Sequence, residues 1–315
     1  MNTPLSYDPL WPRTGSWPAP TDAVNSDLTI IGVPTHATSL SATNAHQTPA
    51  AVRAALNRYS SHLVTSASEQ QHAAQLVLDE ALNIVDAGDV SDPDTEAGET
   101  LAIHRIAELA AHTQLLLTIG GDNACTVATA LGAAQAHSSI ESAGLITLDA
   151  HHDLRDGRSN GSPVRRLIEM GLNPRNVVQI GIADFANSHA YRSRAEALGI
   201  TVIHRDEFFN RSIEDIAAQA LEIAGSQGGP IHVDFDVDVC DRSVAPACPA
   251  SLPGGLQAHE LRRITRVLAA DSRVRSVDIA EVDATADTAD ARTVRLAALL
   301  VLEAAAGVAR RGQAR

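Results

Sequence analysis

Short apolar runs that alternate with longer helix-like stretches constrain this chain more than any other feature. The runs are DLTIIGV (27–33), LNIVDAG (82–88), QLLLTIGG (114–121), AGLITLDA (143–150), VVQIGIA (177–183), TVIHRDE (201–207), PIHVDFDVDV (230–239) and VRSVDIAEV (274–282). They are mostly apolar on both faces, as strands of a parallel sheet covered on both sides are. Helical periodicity lies between them, at 48–60, 99–112, 212–225, 258–271 and 293–311. Thr48-Pro49 and Ser212 are helix-start signals. The βαβα alternation predicts an α/β fold of three layers (αβα), with a mainly parallel sheet of about eight strands and helices on both faces. No repeat or internal linker interrupts it. A Pro-rich arm (1–26) is therefore expected to precede one domain (27–315), within the size range of a single large α/β unit. Aromatic residues are only 3% of the chain, so the core must be built from Ala, Val, Leu and Ile.

A formal net charge of −14 argues against nucleic acid and anionic membrane surfaces as partners. No apolar run reaches the ~18 residues of a membrane span. The N-terminus, MNTPLSYDPLWPRTGSWPAP, lacks a basic-then-apolar leader pattern. Cys125, Cys240 and Cys248 show no paired spacing and read as reduced thiols of a cytoplasmic protein.

Polar residues gather at the C-terminal ends of the apolar runs, where open parallel sheets place their sites. LDAHHDLR (148–155) carries Asp149, His151 and Asp153 at period two, on one face if the strand continues. DFDVDVCD (234–241) carries Asp234, Asp236 and Asp238 in the same way. An acidic surface rim is the ordinary explanation for one such cluster. Two clusters, each following a hydrophobic strand, are costly unless a cation neutralises them. Carboxylates with a single imidazole suit a hard or borderline divalent ion such as Mn²⁺. A third polar loop, IGGDNACT (119–126), places Asn123 directly after a strand.

GGDNA, DAHHDLR, DFDVDVCDRSVAPA and EVDATAD resemble the successive signatures of the ureohydrolase superfamily, which includes arginase, agmatinase and formimidoylglutamase. The likeness runs from IIGVP (30–34) to RTVRLAALL (292–300). It implies the arginase-like fold and two Mn²⁺ ions. Carried over by position, Asp149 and Asp236 bridge the ions, His151 and Asp238 complete one, and Asp153 the other. Asn123 stands where the family has the histidine of a GGDH motif. A neutral amide oxygen binds a divalent ion more weakly than imidazole. Three outcomes stay open: ligation by the Asn123 oxygen, one weak ion site, or a disabled site. The presence of the other ligand positions favours a working site with one weaker ion.

The segment RDGRSNGSPVRRLIE (155–169) resembles formimidoylglutamases most closely. Asn160, before Gly161, stands where arginases and agmatinases have a histidine that shuttles protons. Arg155 stands at a position that touches the substrate carboxylate in arginase, and a guanidinium suits carboxylates while repelling agmatine. Arg155, Asn160, Gly161 and Glu281 are thus the expected substrate contacts, with Glu281 holding the amidinium. Asp153 and Glu281 are the expected catalytic residues, Asp153 passing a proton from water to the leaving nitrogen. His152 and His36 are candidates for the missing shuttle. The resemblance implies hydrolysis of N-formimidoyl-L-glutamate, a small substrate with carboxylates, to L-glutamate and formamide. The alternatives are a guanidino-acid hydrolase releasing urea and a non-catalytic homologue. A homo-oligomer, trimer or hexamer, is implied in the same way.

Overall fold

The computed structural model describes residues 5–21, 25–64 and 76–311. Each apolar run forms a strand: β1 (Ser26–Val33), β2 (Ile84–Asp89), β3 (Thr113–Gly120), β4 (Gly144–Leu148), β5 (Val177–Ile182), β6 (Thr201–His204), β7 (Ile231–Asp236) and β8 (Val274–Ala280). They form one 8-stranded sheet in the order β2-β1-β3-β8-β7-β4-β5-β6, with every pairing parallel. A separate antiparallel pair joins His62–Leu63 to Leu76–Val77.

Helices α1 (Thr48–Leu56), α6 (Ile213–Ala224), α7 (Ala258–Ala270) and α8 (Arg292–Arg311) cover one face. Their partners in the sheet include Leu115, Leu117, Ile146, Val178, Val233 and Val277, all at most 1% exposed. Helices α2 (Glu96–Ala110), α3 (Cys125–His137), α4 (Pro163–Glu169) and α5 (His189–Leu198) cover the other. The Ser212 hydroxyl caps α6 by accepting from the Asp215 amide, as the start signal predicts. Helices α3, α4 and α5 fall outside the predicted stretches. α3 is buried on almost every side by small residues, which removes the polar stripe that would mark it.

Among the strands that end earlier than their apolar runs are the two that carry the acidic clusters. β4 stops at Leu148 because the Asp149 carboxylate accepts from the His151 amide, 2.6 Å, and turns the chain. β7 stops at Asp236, whose carboxylate accepts from the Asp238 amide, 2.8 Å. Asp149, His151, Asp153 and Asp238 therefore sit beyond the strands, in or after turns that the carboxylates build, whereas Asp234 and Asp236 keep the period two of β7.

The Pro-rich arm lies against the sheet margin, where the Pro18 carbonyl accepts from the Asp86 amide of edge strand β2. Arg53 of α1 holds the same edge by pairing with Asp86, 2.7 Å, and with Asp89. The three cysteines are buried and unpaired.

At the centre, the chain leaves β3 through Gly120-Gly121 into a turn docked on the end of β1. The Gly121 amide donates to Val33 and the Asp122 amide to Thr35, 2.8 Å. A Cβ on Gly121 would run into the Thr35 carbonyl. Gly121→Ala is expected to cost about 1–3 kcal/mol through this overpacking, read as a lower urea midpoint at unchanged m-value. An unchanged midpoint contradicts the packing described.

Candidate active site

The ends of β3, β4, β7 and β8 lie side by side in the middle of the sheet. Each delivers polar side chains to one place. The His151 imidazole approaches Asp238 Oδ2 at 2.7 Å and Asp149 Oδ1 at 3.5 Å. The Ala150 amide donates to Asp238 Oδ1, 2.9 Å, and so ties the β4 turn to the β7 turn. One ligand atom from each of Asp149, His151 and Asp238 lies within 4.8 Å of the others, a spacing one cation can bridge. Asp149 Oδ2 is buried and has no hydrogen-bond partner. Such an orphaned carboxylate oxygen fits a metal ion.

Asp153 and Glu281 both have left-handed backbones, with φ 51° and φ 64°. Non-glycine residues persist there only where surrounding contacts impose the geometry. Asp153 is held by the Arg165 amide, which donates to its carbonyl, 3.2 Å. The Glu281 amide donates to Gly121, 2.8 Å. Glu281 Oε1 accepts from the Asn123 backbone amide and from Asn160 Nδ2, both 2.8 Å. Asn160 in turn accepts from the Leu40 amide, 3.0 Å, bringing the loop after β1 over the site.

Asn123 is at the heart of the cluster, 1% exposed. Its Nδ2 donates to Asp153 Oδ2, 2.8 Å, and lies 3.5 Å from Asp234 Oδ2. Its Oδ1 accepts from the Thr126 hydroxyl, 2.8 Å. Ligation through Oδ1 requires a half-turn of the amide, which Thr126 accommodates because a hydroxyl both donates and accepts.

Burial dominates the electrostatics. It pushes the Asp149 and Asp236 carboxyls well above the usual carboxylate range; Asp153 and Asp238 add to the effect at Asp149, and Asp238 and Asp149 at Asp236. Asp153 is raised to about 7 by burial, with Asp238 adding to it and His151 opposing it. Glu281 is raised to about 8 by burial and then by Asp122. His151 loses solvation on burial, yet the charges and hydrogen bonds of Asp238 and Asp149 raise it to about 12. A divalent ion would displace these protons and satisfy the carboxylates together.

The cluster opens into a cavity of about 240 Å³ lined by His152, Asp153, Arg155, Asn160, Tyr191 and Glu281, among others. The Arg155 guanidinium lies 6.0 Å from the Tyr191 ring. It has no ion pair with Asp156, which pairs with Arg194 instead, 2.8 Å. Gly161 lets the Arg155 stem lie against it, since a Cβ there would come 2.7 Å from Arg155 Cδ. The two shuttle candidates separate. His152 lines the cavity, with Nδ1 on Gln179 Oε1, 2.7 Å, and Nε2 unpartnered. His36 faces Asp94, 3.0 Å, and is not among the lining residues.

The expected ligands and substrate contacts are thus brought to one cluster and its mouth. One participant escapes the sequence reading. Asn187 clamps the β4 turn by accepting from the His152 amide and donating to the Ala150 carbonyl. Asp234 belongs to the DFDVDVCD cluster, but the ligand set carried over from the family gives it no role. Among the described residues, no helix is long and apolar enough to cross a membrane.

Comparison with known proteins agrees with this geometry. The arginase family pattern matches residues 26–307. A formimidoylglutamase of Halalkalibacterium halodurans is 35% identical over 286 residues, covering 87% of this chain and 84% of that protein. A guanidinopropionase of Pseudomonas aeruginosa is 29% identical over 298 residues, 91% of this chain and 88% of that one. The crystal structure of formimidoylglutamase from Bacillus subtilis superposes with a TM-score of 0.83 at 28% identity, covering 98% of this chain and 95% of that one.

The raised carboxyls and His151 mean that the folded site holds more protons than the unfolded chain. Metal-free stability therefore falls as pH rises from the ordinary carboxylate range through about 7. Added Mn²⁺ is expected to raise the thermal midpoint more at pH 8 than at pH 6. An equal increment at both, by calorimetry, contradicts this.

Proposed function

The chain belongs to the arginase family, and from that premise we propose that it hydrolyses N-formimidoyl-L-glutamate to L-glutamate and formamide. One observation carries the reading. A buried acid, Glu281, and Arg155, a guanidinium without an ion pair among the described residues, line the same cavity above the Asp149–His151–Asp238 cluster. That pairing suits a molecule that is cationic and planar at one end and carboxylate at the other. The 35% identity to a protein named formimidoylglutamase supports the same substrate.

The donor set fits two Mn²⁺ ions, one among Asp149, His151, Asp236 and Asp238, the other among Asp149, Asp153, Asp236 and Asn123. When bound, the ions supply Lewis acidity that makes water a nucleophile near neutral pH.

The chain's own residues do the rest. Both hydrogen bonds to Glu281 end on Oε1, so its other oxygen is left for the amidinium. Asn160 holds Glu281 and the Leu40 loop together, which fixes one wall of the cavity. Asp153 accepts a proton from water and returns it to the nitrogen of glutamate as the C–N bond breaks. The unpartnered His152 Nε2 exchanges protons between the cavity and solvent. Water supplies the oxygen of formamide and the hydrogen of the released amine. Arg155 takes a substrate carboxylate. The Asn123 amide is the source of weaker binding at one ion.

The buried, unpaired cysteines suit a reducing, cytoplasmic setting. Assembly into a trimer or hexamer is part of the proposal and is read by light scattering.

A substrate panel with added Mn²⁺ tests the reading. Formimidoylglutamate is expected to release formamide, while guanidinobutyrate, arginine and agmatine release no urea. Urea from a guanidino acid would mark a guanidino-acid hydrolase, and no turnover on any substrate a non-catalytic homologue. Arg155→Ala should remove about 1.5–3 kcal/mol of binding, a roughly 10- to 100-fold rise in KM. An unchanged KM removes Arg155 from the site.

A further inference from the structure

Beneath the site, one register level down, β3, β8, β7 and β4 carry a row of polar residues. Thr118, Asp278, Asp234 and Thr147 are cross-strand neighbours in that order. All are 0% exposed. The row faces α3, where the Thr129 hydroxyl donates to Thr118, 3.1 Å. Asp278 Oδ2 faces His232 Nε2 at 3.1 Å, and His232 Nδ1 contacts the Ser276 hydroxyl at 2.8 Å. Asp278 thus has an imidazole partner from below. Asp234 has none. Its Oδ1 is buried without a hydrogen-bond partner, and its Oδ2 points to Asn123 Nδ2 at 3.5 Å.

The amide nitrogen of Asn123 therefore lies between two carboxylate oxygens, Asp153 Oδ2 at 2.8 Å and Asp234 Oδ2 at 3.5 Å. Asp149, with its own orphaned Oδ2, is close enough to repel Asp234 electrostatically. A hydrogen-bond donor with partial positive charge sits where these acids converge. A divalent cation would satisfy the same oxygens more completely, since carboxylates are hard donors.

We propose that Asp234 is an additional metal ligand, which supplies to the Asp153-side ion the charged donor that the neutral Asn123 amide cannot. A carboxylate two residues before Asp236 on the same strand face replaces the imidazole expected from the loop after β3. This inference rests on the two-ion reading of the site. It differs from that reading in giving a ligand role to Asp234, which the carried-over ligand set leaves out.

The test counts metal rather than product. Wild type and Asp234→Asn, which keeps size and hydrogen-bonding capacity, are loaded with Mn²⁺, dialysed and analysed by mass spectrometry and low-temperature electron paramagnetic resonance. Circular dichroism checks the fold. Wild type is expected to hold two ions with an exchange-coupled spectrum. Asp234→Asn is expected to hold one, with an isolated Mn²⁺ spectrum. The double variant Asn123→His with Asp234→Ser should regain two ions, whereas Asp234→Ser alone should not. If wild type and Asp234→Asn both hold two ions with equal affinity, the role of Asp234 is overturned while the two-ion site stands. If wild type holds only one ion, the two-ion reading itself falls, and this inference with it.

Discussion

Repulsion among buried carboxylates is the constraint on which the rest of this structure depends. Asp149, Asp153, Asp234, Asp236, Asp238, Asp278 and Glu281 all lie at or just below the ends of the central strands, none more than 7% exposed. Burial, and then their acidic neighbours, push several of them well above the usual carboxylate range in the metal-free chain. Placing so many acids together costs stability that hydrophobic packing must offset. The central strands contribute that packing. Leu115, Leu117, Ile146, Val233 and Val277 are buried on the opposite face from the Thr118–Asp278–Asp234–Thr147 row. One side of the sheet thus carries stability, and the other carries charge for chemistry. The left-handed backbones of Asp153 and Glu281 belong to the same economy, because both are held by amide contacts from neighbouring loops.

Much of this was legible in the sequence. Each apolar run became a strand because parallel strands buried on both faces leave an unbroken hydrophobic signature. The polar residues at the ends of four of those strands formed one cluster because the C-terminal ends of a parallel sheet converge. The manner of convergence was not legible. Period-two spacing suggested extended strands, but Asp149 and Asp236 turn the chain through bonds to amides two residues on. A carboxylate that caps its own turn looks in sequence like one that extends a strand. The links from Asn160 to Glu281 and to Leu40 join positions more than a hundred residues apart, and no local pattern encodes them. Helix α3 was hidden because small residues bury it on nearly all sides.

The two asparagines give the site its particular character. By the family resemblance, Asn123 and Asn160 stand where related enzymes use histidines. In this chain each amide donates to a buried carboxylate, Asn123 to Asp153 and Asn160 to Glu281. An amide cannot titrate, so neither position can carry protons. Under the proposed function, proton traffic would fall to Asp153 and to His152, the histidine that lines the cavity with an unpartnered nitrogen. The same replacement brings amide donors against acids that would otherwise face bare repulsion. It also opens the Asp153 side of the site toward Asp234, which gives a second use to a residue otherwise unexplained.

The most direct test of this account is anomalous diffraction at the manganese edge from crystals grown with Mn²⁺. The account predicts two peaks, one among Asp149, His151 and Asp238 and one beside Asp153, with the Asn123 amide no longer donating to Asp153. A single peak, with the Asn123 nitrogen still on Asp153, would contradict it: the buried acids would then be balanced by protons and one ion.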